Sequence, residues 1–215
     1  MRPELVIFDC DGVLVDTEIV ANTAISHNLA RYGLDLSPNA CVSLFLGGTL
    51  RVTMAKARSL GADLPDDWID EMYSEMFTAL EKGVAVIDGV GEVLVRLDAL
   101  GIPDCVVSNG PPAKMRISLG PSGLWDRFEG RIWSPHTHGS AKPDPGLLLM
   151  AAKHFGVATE ACVMIDDSPS GVIAAKRAGV RAIGFDDGGH SGRLKTLGVE
   201  VVHQISELED KLLLG

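Results

Sequence analysis

Basic charge is scarce in this chain. It has 19 Lys and Arg against 29 Asp and Glu, a formal net charge of -10, and no basic stripe offsets the deficit. A polyphosphate backbone would be repelled, so nucleic acid is not an expected partner. Cysteine is sparse as well. Cys10, Cys41, Cys105 and Cys162 show neither CxxC spacing nor the density of a disulfide scaffold. Three of them lie in or beside apolar runs, and reduced thiols in a cytoplasmic protein are the expectation. No apolar run approaches the roughly 20 residues of a membrane span, so no membrane partner is expected. Met1 leads into an apolar run within a few residues, so no signal peptide is expected. Internal repeats and low-complexity segments are lacking too. What remains is globular: 215 residues, 46% apolar and 22% charged, enough for one good core plus a small accessory domain.

Short apolar runs alternate with helical patterns. Leu5–Phe8, Cys105–Val107 and Cys162–Ile165 read as buried strands, with later candidates at Ala182–Phe185 and Val199–Val202. Val90, Val93, Leu94, Leu97 and Leu100 recur at helical spacing before Gly101, and Leu147–His154 and Ile173–Ala178 are two further helices. Such alternation predicts an α/β fold, a Rossmann-like, doubly wound parallel sheet. One stretch breaks the pattern. From about Thr17 to Lys82 only helices are legible, among them one with Ile69, Met72, Tyr73, Met76 and Leu80 on a single face. The predicted organisation is therefore a core of residues 1–15 and 84–215, with an inserted all-helical cap domain at 16–83.

The chemistry-bearing residues stand at the carboxyl ends of the predicted strands, where open parallel sheets bind ligands. Asp9–Cys10–Asp11–Gly12 delivers two carboxylates two residues apart, with Gly12 permitting an immediate turn. Two such groups in a dry site repel unless one holds a proton or a cation lies between them. A carboxylate can attack phosphorus, and a neighbouring carboxyl can pass a proton to the leaving oxygen. Ser108–Asn109–Gly110 offers a hydroxyl and successive backbone N–H groups that suit phosphate oxygens, although by itself it is an ordinary turn sequence. Lys142, held outside a helix by Pro143, can offset transition-state charge; a lone loop lysine is more often a solvated surface group. Asp166–Asp167–Ser168–Pro169 places paired carboxylates before a helix that Ser168 caps, an oxygen-rich set suited to magnesium.

In this order and context the four motifs resemble those of the haloacid dehalogenase-like (HAD-like) hydrolases, in the beta-phosphoglucomutase and sugar-phosphate phosphatase branch with a helical cap. The stretch Val106–Pro111 with Lys114–Met115 is similar to bacterial sugar-phosphate phosphatases, including the 6-phosphogluconate phosphatases. The resemblance covers essentially the whole chain. It implies Asp9 as nucleophile and Asp11 as general acid/base. It implies Ser108 and Lys142 as phosphoryl-binding groups, with the Asn109 backbone close by. Asp166 and Asp167 would hold Mg2+ with Asp9 and the Asp11 backbone carbonyl, and which of the two aspartates binds the ion directly stays open. The implied activity is magnesium-dependent hydrolysis of a small phosphomonoester, a sugar or polyol phosphate, through a phospho-aspartate, by a monomer or weak homo-oligomer.

Two other functions compete with this one. A phosphomutase of the branch carries a His shortly after the equivalent of Asp16–Thr17 and an Arg in the cap loop. Here those positions fall near Ala21 and at Leu50, beside Arg51, which weakens the mutase reading. A non-catalytic phosphate-binding member of the fold is disfavoured because no catalytic position of the pattern is missing. Gly47–Gly48–Thr49 is a candidate substrate contact of the cap, with a plain interhelix turn as its equal rival. His136–Thr137–His138 lacks a third ligand nearby and is taken as polar loop.

Overall fold

The computed structural model describes residues 2–45, 49–187 and 191–213. Its strands are β1 (Leu5–Phe8), β2 (Val15–Asp16), β3 (Ala85–Val86), β4 (Asp104–Val107), β5 (Ile132–Trp133), β6 (Cys162–Asp166), β7 (Arg181–Phe185) and β8 (Glu200–Val202). The helices are α1 (Glu18–Arg31), α2 (Pro38–Phe45), α3 (Leu50–Ser59), α4 (Trp68–Leu80), α5 (Val90–Ala99) and α6 (Pro112–Leu119). They continue with α7 (Leu124–Phe128), α8 (Pro135–His138), α9 (Gly146–Phe155), α10 (Pro169–Ala178), α11 (Ser191–Lys195) and α12 (Leu208–Leu213).

Six strands form one sheet in the order β5-β4-β1-β6-β7-β8, and every pairing in it is parallel. Parallel neighbours need long crossovers, and the helices between strands supply them. The chain steps outward from β1 through β4 to β5, then returns to the other side of β1 to lay down β6, β7 and β8. The direction of winding therefore reverses between β1 and β6, which opens a crevice at their carboxyl ends. All four residues of β1 are at most 1% exposed, as expected of a strand covered on both faces. Leu5 and Ile7 join Cys105, Val107, Met164, Leu148 and Ala175 in one cluster, while Val6 and Phe8 point to the opposite side. The predicted doubly wound sheet is the observed one.

One strand of the six-stranded sheet escaped the periodicity. β5 has only two residues, between Arg131 and Ser134, too short and too polar at its ends to register as a run. Pairing with β4 makes it a strand, through Val106 opposite Ile132 and Val107 opposite Trp133.

Residues Asp16–Ala85 make up a second compact unit, and the remainder of the chain makes up the sheet unit. Short strands β2 and β3, at the two points where the chain passes between the units, pair as a two-stranded sheet. The helical unit holds α1 to α4. On α4 the buried stripe is Trp68, Met72, Met76 and Leu80, one turn apart each time, with Ile69 and Tyr73 half-buried at its margin. Trp68 is fully buried, and its indole N–H donates to Asn28 Oδ1 at 2.6 Å. The Asn28 amide in turn donates to Glu71 and Glu75, which also take the Arg31 guanidinium. Among the described residues no helix is long and apolar enough to cross a membrane.

Candidate active site

Three adjacent strands end at the crevice, and each hands over a polar group. Asp9 follows β1, its backbone N–H continuing the ladder to the Ile165 carbonyl at 2.9 Å. Ser108 follows β4 and is 2% exposed. Asp166 closes β6, is wholly buried, and precedes Asp167. Because β1 pairs with β6 in register, Phe8 opposite Ile165, the Asp9 and Asp166 side chains come out side by side.

Lys142 arrives from the loop between α8 and α9. Its ammonium lies 2.6 Å from Asp166 Oδ2 and 3.0 Å from Asp9 Oδ2, with the residue 5% exposed. Burial works against the charged amine, but Asp166 and Asp9 outweigh it and hold its pKa above the ordinary lysine value. This lysine is a buried, doubly paired cation rather than a solvated one. Asn109 secures it: the Asn109 amide donates to the Lys142 carbonyl at 2.9 Å, and the Lys142 backbone N–H donates back to Asn109 Oδ1 at 2.8 Å. The Asn109 side chain is thus spent on joining two loops.

The carboxylates differ in what surrounds them. Asp9 Oδ1 accepts the Cys10 backbone N–H at 2.7 Å, and Oδ2 faces Lys142. Burial nevertheless raises its pKa from 3.8 to about 6; Lys142 offsets part of the effect, while Asp166 and Asp11 add to it. Asp166 is fully engaged, Oδ2 with Lys142 and Oδ1 with the Ser168 N–H at 2.9 Å and hydroxyl at 2.6 Å. Asp167 makes no hydrogen bond or ion pair among the described residues. Burial first, then Asp166 and Asp9, push its pKa well above the carboxylate range. Asp9, Asp166 and Asp167 each present one oxygen, all within 4.8 Å of one another. Three converging oxygens, one without a donor of its own, suit a hard cation such as Mg2+.

Two glycines let these groups approach. Gly12 has φ +74°, and a Cβ there would lie 2.2 Å from Asp167 Oδ2, so this position requires glycine twice over. At Gly171, in the first turn of α10, a Cβ would fall 1.7 Å from Asp166 Oδ2. The Ser168 hydroxyl accepts the Gly171 N–H, with Pro169 opening the helix, which is the cap expected from the sequence.

The sequence singled out Lys114 only as part of the resemblance and gave it no role in the site. It sits on α6, and its ammonium lies 2.7 Å from Asp11 Oδ2, the two side chains 13% and 28% exposed. A helix-face lysine ordinarily reads as solvated, and only the packing of α6 on the β1 loop reveals the pair. Ser134 was missed; it is buried and donates to the Gly110 carbonyl at 2.7 Å, bracing the loop after β4. Thr49 caps α3 by accepting the Val52 N–H at 3.4 Å, whereas Gly47 and Gly48 lie outside the described residues. His138 bonds locally with Ser134 and Thr137 and joins no group of metal-ligating residues among those described.

The sequence pattern of the family described as Haloacid dehalogenase-like hydrolase matches residues 6–185. The chain belongs to that family. It is 32% identical to the 6-phosphogluconate phosphatase of Escherichia coli over 186 residues, which is 86% of this chain and 83% of that one. With phosphoglycolate phosphatase 1 of Pseudomonas aeruginosa it shares 29% identity over 204 residues, 89% of this chain and 72% of the relative. Among solved structures, a haloacid dehalogenase-like protein of unknown function from Agrobacterium tumefaciens superposes with a TM-score of 0.88 at 32% identity, covering 97% of both chains. This HAD-like hydrolase thus shares its whole architecture with a solved relative, and curated relatives in the family are named phosphatases.

Proposed function

We propose that this HAD-like hydrolase is a magnesium-dependent phosphatase acting on a small phosphomonoester, a sugar or polyol phosphate, through a phospho-Asp9 intermediate. The observation that carries the reading is the buried constellation at the β1–β6 reversal, where Asp9 lies 3.0 Å from Lys142 and its carboxylate neighbours stand on the next strand end. Asp9 attacks phosphorus as the ester P–O bond breaks, and Asp11 gives its proton to the departing alcohol oxygen. A water then loses a proton to Asp11 and attacks the phospho-aspartate, releasing phosphate and restoring the Asp9 carboxylate. Ser108 and Lys142 bind the transferring group, with Asn109 keeping Lys142 in place. At neutral pH Asp9, with its pKa about 6, is mostly the ionised nucleophile this requires.

Asp9, Asp166 and Asp167, with the Asp11 carbonyl, would hold Mg2+, which supplies charge neutralisation on the phosphoryl oxygens. Asp167 is the better direct ligand, because both oxygens of Asp166 already serve Lys142 and Ser168. We assign segment 16–83 the role of a cap that excludes bulk water, with Gly47, Gly48 and Thr49 as its substrate contacts. The same reading makes the protein a cytoplasmic monomer or weak homo-oligomer whose partner is the small phosphate ester.

The test is phosphate release over a panel of sugar, polyol and hydroxy-acid phosphates, with and without Mg2+, beside an Asp9→Asn control. Selective release, lost without the metal and lost in the variant, is expected. A rearranged phosphate ester without phosphate release, or release unaffected by Asp9→Asn, overturns the proposal.

A further inference from the structure

Lys114 is not needed for phosphoryl transfer as set out above, yet it is built into the same pocket. The side chains around the crevice include the carboxylates of Asp9, Asp11, Asp166 and Asp167 and two ammonium groups. Lys142 is held by Asp9 and Asp166 at the transfer end. Lys114 meets Asp11 alone among the described carboxylates. An ammonium carries three donors, and Asp11 takes one of them. Gly110 marks how close these groups stand: a Cβ at that position would lie 3.5 Å from both Asp11 Oδ2 and Ser108 Oγ, and 3.9 Å from the Lys114 side chain.

Its position relative to the reaction follows from the role of Asp11. A group that protonates the leaving oxygen must stand beside the leaving alcohol. Lys114 pairs with Asp11, so a substrate whose leaving oxygen meets Asp11 brings its leaving alcohol near this ammonium. A half-buried ammonium there favours a leaving group that carries its own negative charge.

We propose that Lys114 is a specificity-determining residue that binds a carboxylate on the leaving alcohol, so that the preferred substrates are phosphate esters of short hydroxy acids with the carboxylate one or two carbons from the ester oxygen. The inference rests on the phosphatase reading and narrows its substrate class from sugar and polyol phosphates in general. Phosphoglycolate, in the name of the Pseudomonas aeruginosa relative, has this chemistry.

The experiment compares 2-phosphoglycolate with 2-hydroxyethyl phosphate, an ester of the same carbon number without the carboxylate, in wild-type protein, Lys114→Met and Lys114→Arg. Para-nitrophenyl phosphate serves as a general phosphatase control. The wild type should prefer 2-phosphoglycolate in kcat/KM. Lys114→Met should lower that preference ratio by about tenfold to a hundredfold, chiefly through KM, as expected for losing a charge-assisted hydrogen bond. Lys114→Arg should restore part of it. Because disturbance of Asp11 slows both esters alike, the ratio isolates the carboxylate contact. Should Lys114→Met fail to fold, Lys114→Gln carries the same comparison. A wild type without the preference, or a ratio unchanged in the variants while para-nitrophenyl phosphate is hydrolysed, overturns this inference and leaves the phosphatase reading standing. No hydrolysis of any of the three esters or of the sugar and polyol phosphates of the panel overturns both.

Discussion

The carboxylate cluster should weaken the metal-free protein, and replacing Asp9 by Asn should stabilise it. Asp9 titrates at about 6 in the folded protein against an ordinary 3.8, because burial, Asp166 and Asp11 together outweigh Lys142. The folded state therefore holds the proton more tightly than the unfolded chain does. Well below pH 3.8 the group is protonated in both states and costs nothing. As pH rises from 4 through 6 the unfolded chain releases its proton first, and stability falls until the folded group has titrated too. At about 1.4 kcal/mol per pKa unit, the gap amounts to a penalty on the order of 3 kcal/mol above pH 7. Asn keeps an oxygen for the Cys10 N–H and carries no charge. Asp9→Asn should then raise the apparent Tm at pH 7.5, in EDTA, by about 6–12 °C, since 1 kcal/mol moves a chain of this size by about 2–4 °C. At about pH 3 the difference should vanish. With Mg2+ present it should shrink, because only the wild type keeps all three carboxylates for the ion. The assay is thermal unfolding followed by circular dichroism at several pH values. An Asp9→Asn protein no more stable than wild type at pH 7.5 in EDTA would refute the argument that this site stores electrostatic strain.

Other expectations follow from single contacts. Asn109→Ala removes two hydrogen bonds to the Lys142 backbone and should cost about 1–3 kcal/mol in urea unfolding, with a fall in kcat; unchanged stability would show the loop clasp to be idle. Gly171→Ala drives a methyl group into the Asp166 carboxylate, which must move and take Lys142 with it. The rate of phosphate release should drop by about a hundredfold, and a wild-type rate would contradict the packing described for α10. In the helical unit, Trp68→Phe leaves the buried Asn28 carbonyl oxygen without its indole donor and should cost about 1–3 kcal/mol, read as a lower unfolding midpoint.

Much of this protein is written locally. Four-residue apolar runs flanked by helices specify buried parallel strands, because nothing else hides both faces of such a run. The stripe on α4 specifies its helix by spacing alone. Aspartates at the end of an apolar run announce a site, since a strand has no structural use for two carboxylates where it leaves the core. The sequence therefore determined the α/β sheet, the helical segment and the candidate positions Asp9, Asp11, Ser108, Lys142, Asp166 and Asp167. Tertiary structure alone decided which of these groups pair. The order β4-β1-β6 brings Ser108, Asp9 and Asp166 together from points about 60 to 160 residues apart in the chain. Folding turned Lys142 from an ordinary loop lysine into a buried cation held between two carboxylates, occupied both oxygens of Asp166 and left Asp167 without a hydrogen bond or ion pair among the described residues. It also swung Lys114 from a helix face onto Asp11. These outcomes depend on distance and desolvation, and neither exists until the strands have paired and excluded water.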